Sequence, residues 1–128
     1  MIGLFMHKIL IVDDCTSTRQ IVSATLKGVG FNIVEALDGA EALELAKGQR
    51  CDLVLSDLNM PNMNGIELVT ALRKMDSYSI IPVLLLTTED CKDKIEESRL
   101  AGATGWLNKP FSPRVLQKTV RKVLNISD

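Results

Sequence analysis

The chain has 128 residues, 46% of them hydrophobic, which suits one domain around one core. Its net charge is −1, so it offers no basic stripe for nucleic acid and no polybasic membrane patch. No apolar run approaches the length of a membrane span.

The opening residues Met1 to His7 are apolar but lack a basic leader and a small-residue cleavage site, so they are expected to be a short extension, not a signal peptide. His7-Lys8-Ile9-Leu10-Ile11-Val12 has the unbroken branched pattern of a strand buried on both faces, and it ends in Asp13-Asp14. Thr16, Ser17 and Thr18 offer N-cap hydroxyls for a helix whose apolar face is expected to carry Ile21, Val22 and Leu26, with Thr25 beside them. Gly28 and Gly30 stop that helix. A weaker strand follows over residues 31–36, then an Asp38-Gly39 turn and a helix from Glu41 to Lys47.

Leu53-Val54-Leu55 is the most buried strand pattern, and it runs into Ser56-Asp57. A carboxylate at the end of such a strand is costly unless something uses it. Asn59, Pro61, Asn62, Asn64 and Gly65 then make a loop, and a helix is expected from Gly65 to Met75 with Ile66, Val69 and Leu72 inside. Asp76-Ser77-Tyr78-Ser79 reads as a connection, and Ile80 to Leu86 predicts a fourth strand, ending at Thr87-Thr88. The charged helix expected from Cys91 to Ala101 has a thin apolar stripe, mainly Ile95 and Ala101, and should pack least firmly. Thr104 to Asn108 predicts a fifth strand, followed by Lys109-Pro110-Phe111. Ser112 and Pro113 open a last helix expected to bury Val115, Leu116, Val120, Val123 and Leu124. Strand and helix alternate five times, which predicts an α/β fold: one five-stranded parallel sheet with helices on both faces.

The three cysteines, Cys15, Cys51 and Cys91, form no close pair and have no histidine cluster, which argues against a zinc site or a disulfide framework. Free thiols fit a cytoplasmic location. Cys15 follows two aspartates, which disfavour its thiolate and argue against a nucleophilic role.

The ends of the strands bring Asp13, Asp14, Asp57, Thr87 and Lys109 to one edge of the sheet, where ligands bind in open α/β folds. At ~5 Å and an effective dielectric of ~20, each pair of like carboxylates there costs roughly 3 kcal/mol, so cations are required. Lys109 is one, and a hard divalent ion, best Mg²⁺, is the other. The chemistry inferred is phosphoryl transfer onto Asp57, with Thr87 placed to hydrogen-bond the group transferred. Taken singly, Asp13-Asp14 reads as an acidic pair at a helix start, Asp57 as a loop cap and Lys109 as a solvated lysine. Those separate readings leave their meeting at one edge unexplained.

Val12-Asp13-Asp14, the stretch from Asp57 to Gly65, Thr87-Thr88 and Lys109-Pro110-Phe111 resemble the receiver domain of bacterial two-component response regulators, over nearly the whole chain. Among these the chain is most similar to the single-domain chemotaxis regulators. The resemblance implies a doubly wound (βα)5 fold of strand order 2-1-3-4-5. It implies a receiver domain over residues 8–126, an extension over 1–7 and no output domain. Asp57 is then the phosphoacceptor; Asp14, Asp57 and the Asn59 carbonyl hold Mg²⁺, and Asp13 acts through water. Lys109 contacts the phosphoryl group, Thr87 moves toward it, and Trp106 turns inward as the switch. The resemblance gives Asn59 and Glu89 the role of tuning phosphate lifetime, and it makes the Lys109-Pro110 bond cis. The partners implied are a histidine kinase, a flagellar motor component or another chemotaxis protein engaging the region from the fourth to the fifth helix, and a phosphatase. Trp106 stands where tyrosine or phenylalanine is usual, Thr88 is larger than the common alanine or glycine, and Asn108 is polar at a normally apolar strand position.

A phosphate sink or a phosphorelay intermediate is the alternative within this class. An Mg²⁺-dependent phosphohydrolase needs a second acid two residues past the nucleophile, where Asn59 stands. A nucleotide-binding module is disfavoured because Gly28-Val29-Gly30 follows a helix, not a strand.

Overall fold

The computed structural model describes residues 7–88 and 92–126, for Lys92 the backbone only. Expectations placed on the extension up to Met6, on Glu89 and on Cys91 lie outside the described residues. Five strands, β1 (Lys8–Val12), β2 (Asn32–Ala36), β3 (Leu53–Asp57), β4 (Val83–Thr87) and β5 (Gly105–Asn108), form one sheet in the order β2-β1-β3-β4-β5, and every pair is parallel. The five helices are α1 (Thr16–Lys27), α2 (Gly39–Gly48), α3 (Gly65–Arg73), α4 (Lys92–Ala101) and α5 (Pro113–Leu124). Among the described residues no helix is long and apolar enough to cross a membrane.

The period of two along the central strands splits the core into two layers. Ile9, Ile11, Leu53 and Leu55 face α1 and α5, meeting Val22, Leu26, Leu116 and Val120. Leu10, Val12, Val54 and Leu85 face the other side, meeting Ala42, Ala46, Ile66, Val69 and Leu72 of α2 and α3. Each fully buried Leu, Ile or Val contributes about 1.5–3 kcal/mol, and past their first residue the central strands admit polar residues only near their carboxyl ends, as with Ser56 and Asp57 in β3.

Several boundaries differ from the sequence reading, each for a local reason. Ile80 and Ile81 precede β4, and Ile80 is 88% exposed. Pro82 has no N–H to give the ladder, so the pairing opens with its carbonyl, which accepts from Val54 N at 3.0 Å. The Ile81 carbonyl is taken by Arg73 Nη1 at 2.7 Å. The residues expected to connect α3 and β4 form a short 3-10 helix, Asp76–Tyr78, and Tyr78 is fully buried. Its hydroxyl donates to Gln49 O at 2.6 Å and accepts from Cys51 N at 3.0 Å, which ties the start of β3 to the end of α3.

The N-cap of α1 is Cys15, not one of the three hydroxyl residues after it. Asp13, two residues upstream, already supplies an acceptor to Cys15 N at 2.9 Å, and the chain enters the helix there. Ile21, expected on the buried face, is 62% exposed, because Val22, Ser23 and Leu26 form the buried stripe and Ile21 lies off it. Val115 is exposed for the same reason in α5, where Leu116 and Val120 carry the contact. In α4 the buried residue of the described set is Ser98, while Leu100 points outward, in keeping with a thin apolar stripe. β5 is an edge strand of alternating exposure, so the polar Asn108 lies on its exposed side at little desolvation cost.

Candidate functional site

Register alone brings the acidic residues together. Val12 pairs with Ser56, so the next residues, Asp13 and Asp57, end neighbouring strands side by side. Asp13 is 1% exposed; its N–H donates to Ala36 O at 3.2 Å and its Oδ1 accepts from Cys15 N. Asp14 is exposed beside it. Ligand oxygens of Asp13, Asp14 and Asp57 all lie within 4.8 Å of one another.

The opposing cation arrives from the other side of the sheet. Thr87 pairs with Asn108, and the Thr87 carbonyl accepts from Lys109 N at 2.8 Å, fixing the residue where β5 ends. The Lys109-Pro110 peptide is cis, as expected. Lys109 Nζ stands 3.2 Å from Asp57 Oδ1 and 3.5 Å from Asp13 Oδ2. Burial raises the Asp57 carboxyl above its ordinary value; Lys109 pulls it back, and Asp13 and Asp14 push it further up.

The loop after β3 is held against this edge. Leu58 is buried, and Leu58 N donates to Leu86 O at 3.0 Å. Gly65 N returns to Leu58 O at 2.8 Å, so the loop closes on itself, with Asn62 at φ 69° at its turn. A Cβ on Gly65 would come 2.6 Å from the carbonyl oxygen of Asp57, so this position admits only glycine without a shift. Asn64 caps α3 through a reciprocal pair, accepting from Glu67 N at 2.8 Å while Glu67 accepts from Asn64 N at 2.9 Å. Asn59 lies exposed in this loop, two residues past Asp57.

The residues singled out in the sequence therefore separate into two groups. Asp13, Asp14, Asp57 and Lys109 are brought into one cluster, and Thr87 ends the strand beside it, buried. Trp106 lies on β5 three residues before Lys109, in register with Leu85 and 37% exposed, outside the cluster. Thr88 is exposed and lines a groove of about 430 Å³ with Thr18, Ile21, Val22, Pro110 and Phe111, which meets the site at Lys109.

Three carboxylates face one ammonium group, and one oxygen, Asp13 Oδ2, is buried without a hydrogen-bond partner. A buried carboxylate oxygen held only by an ammonium group 3.5 Å away, with no hydrogen bond, is incompletely satisfied, which is costly. Hard oxygens, few in number and open to solvent on the Asp14 side, suit Mg²⁺, which keeps part of its water shell. The donor set present thus fits that ion.

Two features escaped the sequence. The Cys15 thiol, expected to be disfavoured as thiolate, is instead lowered to about 7: the Ser17 hydroxyl and then the Thr18 hydroxyl and N–H stabilise its anion and outweigh Asp13. Arg19 and Glu35, unremarkable in sequence, join into a network behind Asp13. No spacing rule links a helix arginine to a strand glutamate sixteen residues on; only the β1–α1–β2 packing does.

A doubly wound five-stranded sheet with an acidic cluster and a lysine at its carboxyl edge defines a receiver domain. The family model of the response regulator receiver domain matches residues 9–121, and the chain belongs to this family. Within it the chain is a CheY-like, chemotaxis-type regulator. The chemotaxis protein CheY of Pseudomonas aeruginosa is 40% identical over 117 residues, covering 91% of this chain and 94% of that one. Chemotaxis protein CheY-3 of Vibrio cholerae is also 40% identical over 117 residues, with 91% and 90% covered. The solved structure of the chemotaxis response regulator CheY4 of Vibrio cholerae matches with a TM-score of 0.88 at 48% identity, over 92% of this chain and 98% of that one. The receiver domain of a Pseudomonas aeruginosa sensor histidine kinase, solved with a magnesium ion coordinated in its active site cleft, matches at 0.86 and 26% identity, over 93% and 98%.

Proposed function

We propose that this chain is a phosphorylation-driven switch that accepts a phosphoryl group from a kinase phosphohistidine onto Asp57. The observation that carries the reading is the placement of Asp57 beside Asp13, Asp14 and Lys109 at the carboxyl edge of the sheet. An Asp57 carboxylate oxygen attacks phosphorus, the P–N bond to the histidine breaks, and the imidazole keeps that electron pair. The product is an acyl phosphate on Asp57.

Asp13 and Asp14, with Asp57 and the Asn59 carbonyl, are the residues that would hold Mg²⁺, which when bound neutralises charge on the phosphoryl oxygens. Lys109, already 3.2 Å from Asp57, supplies a second positive charge to the same oxygens. Thr87 ends β4 one residue past Leu86, which pairs with Asp57, and this neighbouring strand end supports its hydroxyl as a hydrogen-bond partner for a group built there. Moving Thr87 toward that group would vacate space behind it, and Trp106, on the adjacent strand, would move in response. Asn59 and Glu89 would tune how long the phosphoryl group lasts. The output is a protein contact through the region from α4 to α5, with a chemotaxis or flagellar motor component, and the kinase and a phosphatase act on Asp57. A cytoplasmic location belongs to this reading.

Trp106 is the sole tryptophan, so its fluorescence tests the switch directly. Adding beryllofluoride in the presence of Mg²⁺ is expected to change Trp106 emission in the wild-type chain and to leave Asp57→Asn unchanged. An equal response in both would overturn the assignment of Asp57.

A further inference from the structure

We infer that Arg19 is a positioning residue for the cation site, held in place by Glu35 and acting through the main chain of Asp13. This rests on the reading of Asp13, Asp14 and Asp57 as that site. Arg19 Nη1 donates to the carbonyl oxygen of Asp13 at 2.6 Å. Its Nε donates to Glu35 Oε1 at 3.1 Å, and Ser23 Oγ donates to the other oxygen, Glu35 Oε2, at 3.1 Å. Both carboxylate oxygens of Glu35 are therefore engaged, and the Arg19 guanidinium is held through two of its nitrogens, one on Glu35 and one on Asp13. The Arg19 side chain is only 11% exposed and Ser23 is buried, while Glu35 keeps 35% of its side chain exposed, so the pair is sheltered at its arginine end and open to solvent at its carboxylate.

The geometry has a particular target. The carbonyl that Arg19 holds belongs to the peptide joining Asp13 to Asp14, so one hydrogen bond orients the backbone between two of the three carboxylates. The N–H of Asp13 is bound to Ala36 O, the residue after Glu35 on β2. Adjacent residues at the end of one strand thus hold both backbone groups of Asp13, one directly and one through Arg19. With Oδ1 taken by Cys15 N, the free oxygen of Asp13 is left directed at Lys109. Arg19 never touches a carboxylate of the cluster in the contacts above, and Glu35 meets its charge, so its contribution there is one of geometry. Mg²⁺ demands close to ideal octahedral placement, whereas Ca²⁺ tolerates irregular ligands. A residue that sets ligand geometry should therefore matter more for Mg²⁺ than for Ca²⁺.

The test is calorimetric titration of the full chain with Mg²⁺ and, separately, with Ca²⁺, using wild type, Arg19→Met, Glu35→Ala and Glu35→Gln, with thermal midpoints recorded in metal-free buffer. Loss of an outer partner of a metal ligand typically weakens affinity about 10–100-fold. Arg19→Met and Glu35→Ala should lose about tenfold in Mg²⁺ affinity and clearly less in Ca²⁺ affinity. Glu35→Gln keeps an acceptor for Arg19 Nε and should restore most of the Mg²⁺ affinity. Wild-type Mg²⁺ affinity in Arg19→Met would overturn the inference alone, as would equal losses for both ions that track the fall in midpoint. Absence of Mg²⁺ binding by the wild-type chain would overturn the cation-site reading, and this inference with it.

Discussion

Lys109 Nζ lies 3.2 Å from Asp57 Oδ1, close enough to hold the carboxylate proposed as acceptor, and the same nitrogen reaches Asp13 Oδ2 at 3.5 Å. One lysine at the end of an edge strand thus bridges the carboxylates that end the two central strands. With Lys109 replaced by methionine, the buried Asp13 oxygen faces no cation. The variant should lose about 2 kcal/mol in metal-free urea unfolding, the scale for leaving a buried charged group without its partner. Saturating Mg²⁺ should recover most of that loss. An unaltered midpoint without metal would mean that the bridge contributes nothing to the fold.

The raised Asp57 carboxyl sets a pH dependence. An acid whose folded value lies above its unfolded value, about 3.9, contributes stability at low pH that is lost as pH rises through the folded value. Asp57→Asn removes that loss. Without Mg²⁺ the variant should melt higher than wild type at neutral pH, and the two curves should converge below about pH 4, where the wild-type carboxyl is protonated. A wild-type advantage at neutral pH would show that attraction to Lys109 outweighs burial.

Gly65 has no room for a side chain, since a Cβ would meet the Asp57 carbonyl at 2.6 Å and the Leu58 Cα at 3.1 Å. Gly65→Ala should cost about 1–3 kcal/mol by overpacking and should also weaken Mg²⁺ binding, because the displaced backbone carries Asp57. Chemical denaturation and metal titration of one variant measure both effects. Full metal affinity in a destabilised variant would separate the loop from the site.

Tyr78 provides the contrast. Burial pushes its phenol up to about 12, and its hydroxyl serves two backbone groups at the opposite end of β3 from Asp57. Tyr78→Phe should cost about 2 kcal/mol in stability by orphaning those groups. Mg²⁺ affinity should stay at the wild-type value. A lowered affinity would reveal coupling along β3.

The sheet was legible because its strands are short, apolar and each followed by a helix of matching period. The site was legible because strand-end chemistry repeats: a carboxylate after Val12, one after Ser56, a hydroxyl after Leu86 and a lysine after Asn108. What escaped depends on contacts between distant segments. Tyr78 looked like part of a polar connection, and only the closing of α3 onto β3 buries it. The start of α1 differs from the hydroxyl cap the sequence predicts because the chain turns at Asp13, whose Oδ1 accepts from Cys15 N, and Cys15 becomes an N-cap with no side-chain hydrogen bond. Cys15 was misjudged for a related reason: the charges beside it in sequence count for less than the hydroxyls that the helix folds over its sulfur.

The central claim, that Asp57 accepts a phosphoryl group, is tested most directly by mass. The chain is incubated with acetyl phosphate with and without Mg²⁺, and intact mass is followed by peptide mapping. The account predicts addition of one phosphoryl group, dependent on Mg²⁺, carried by the peptide containing Asp57 and absent from Asp57→Asn. A phosphoryl group on another residue, or none in the presence of Mg²⁺, would contradict it.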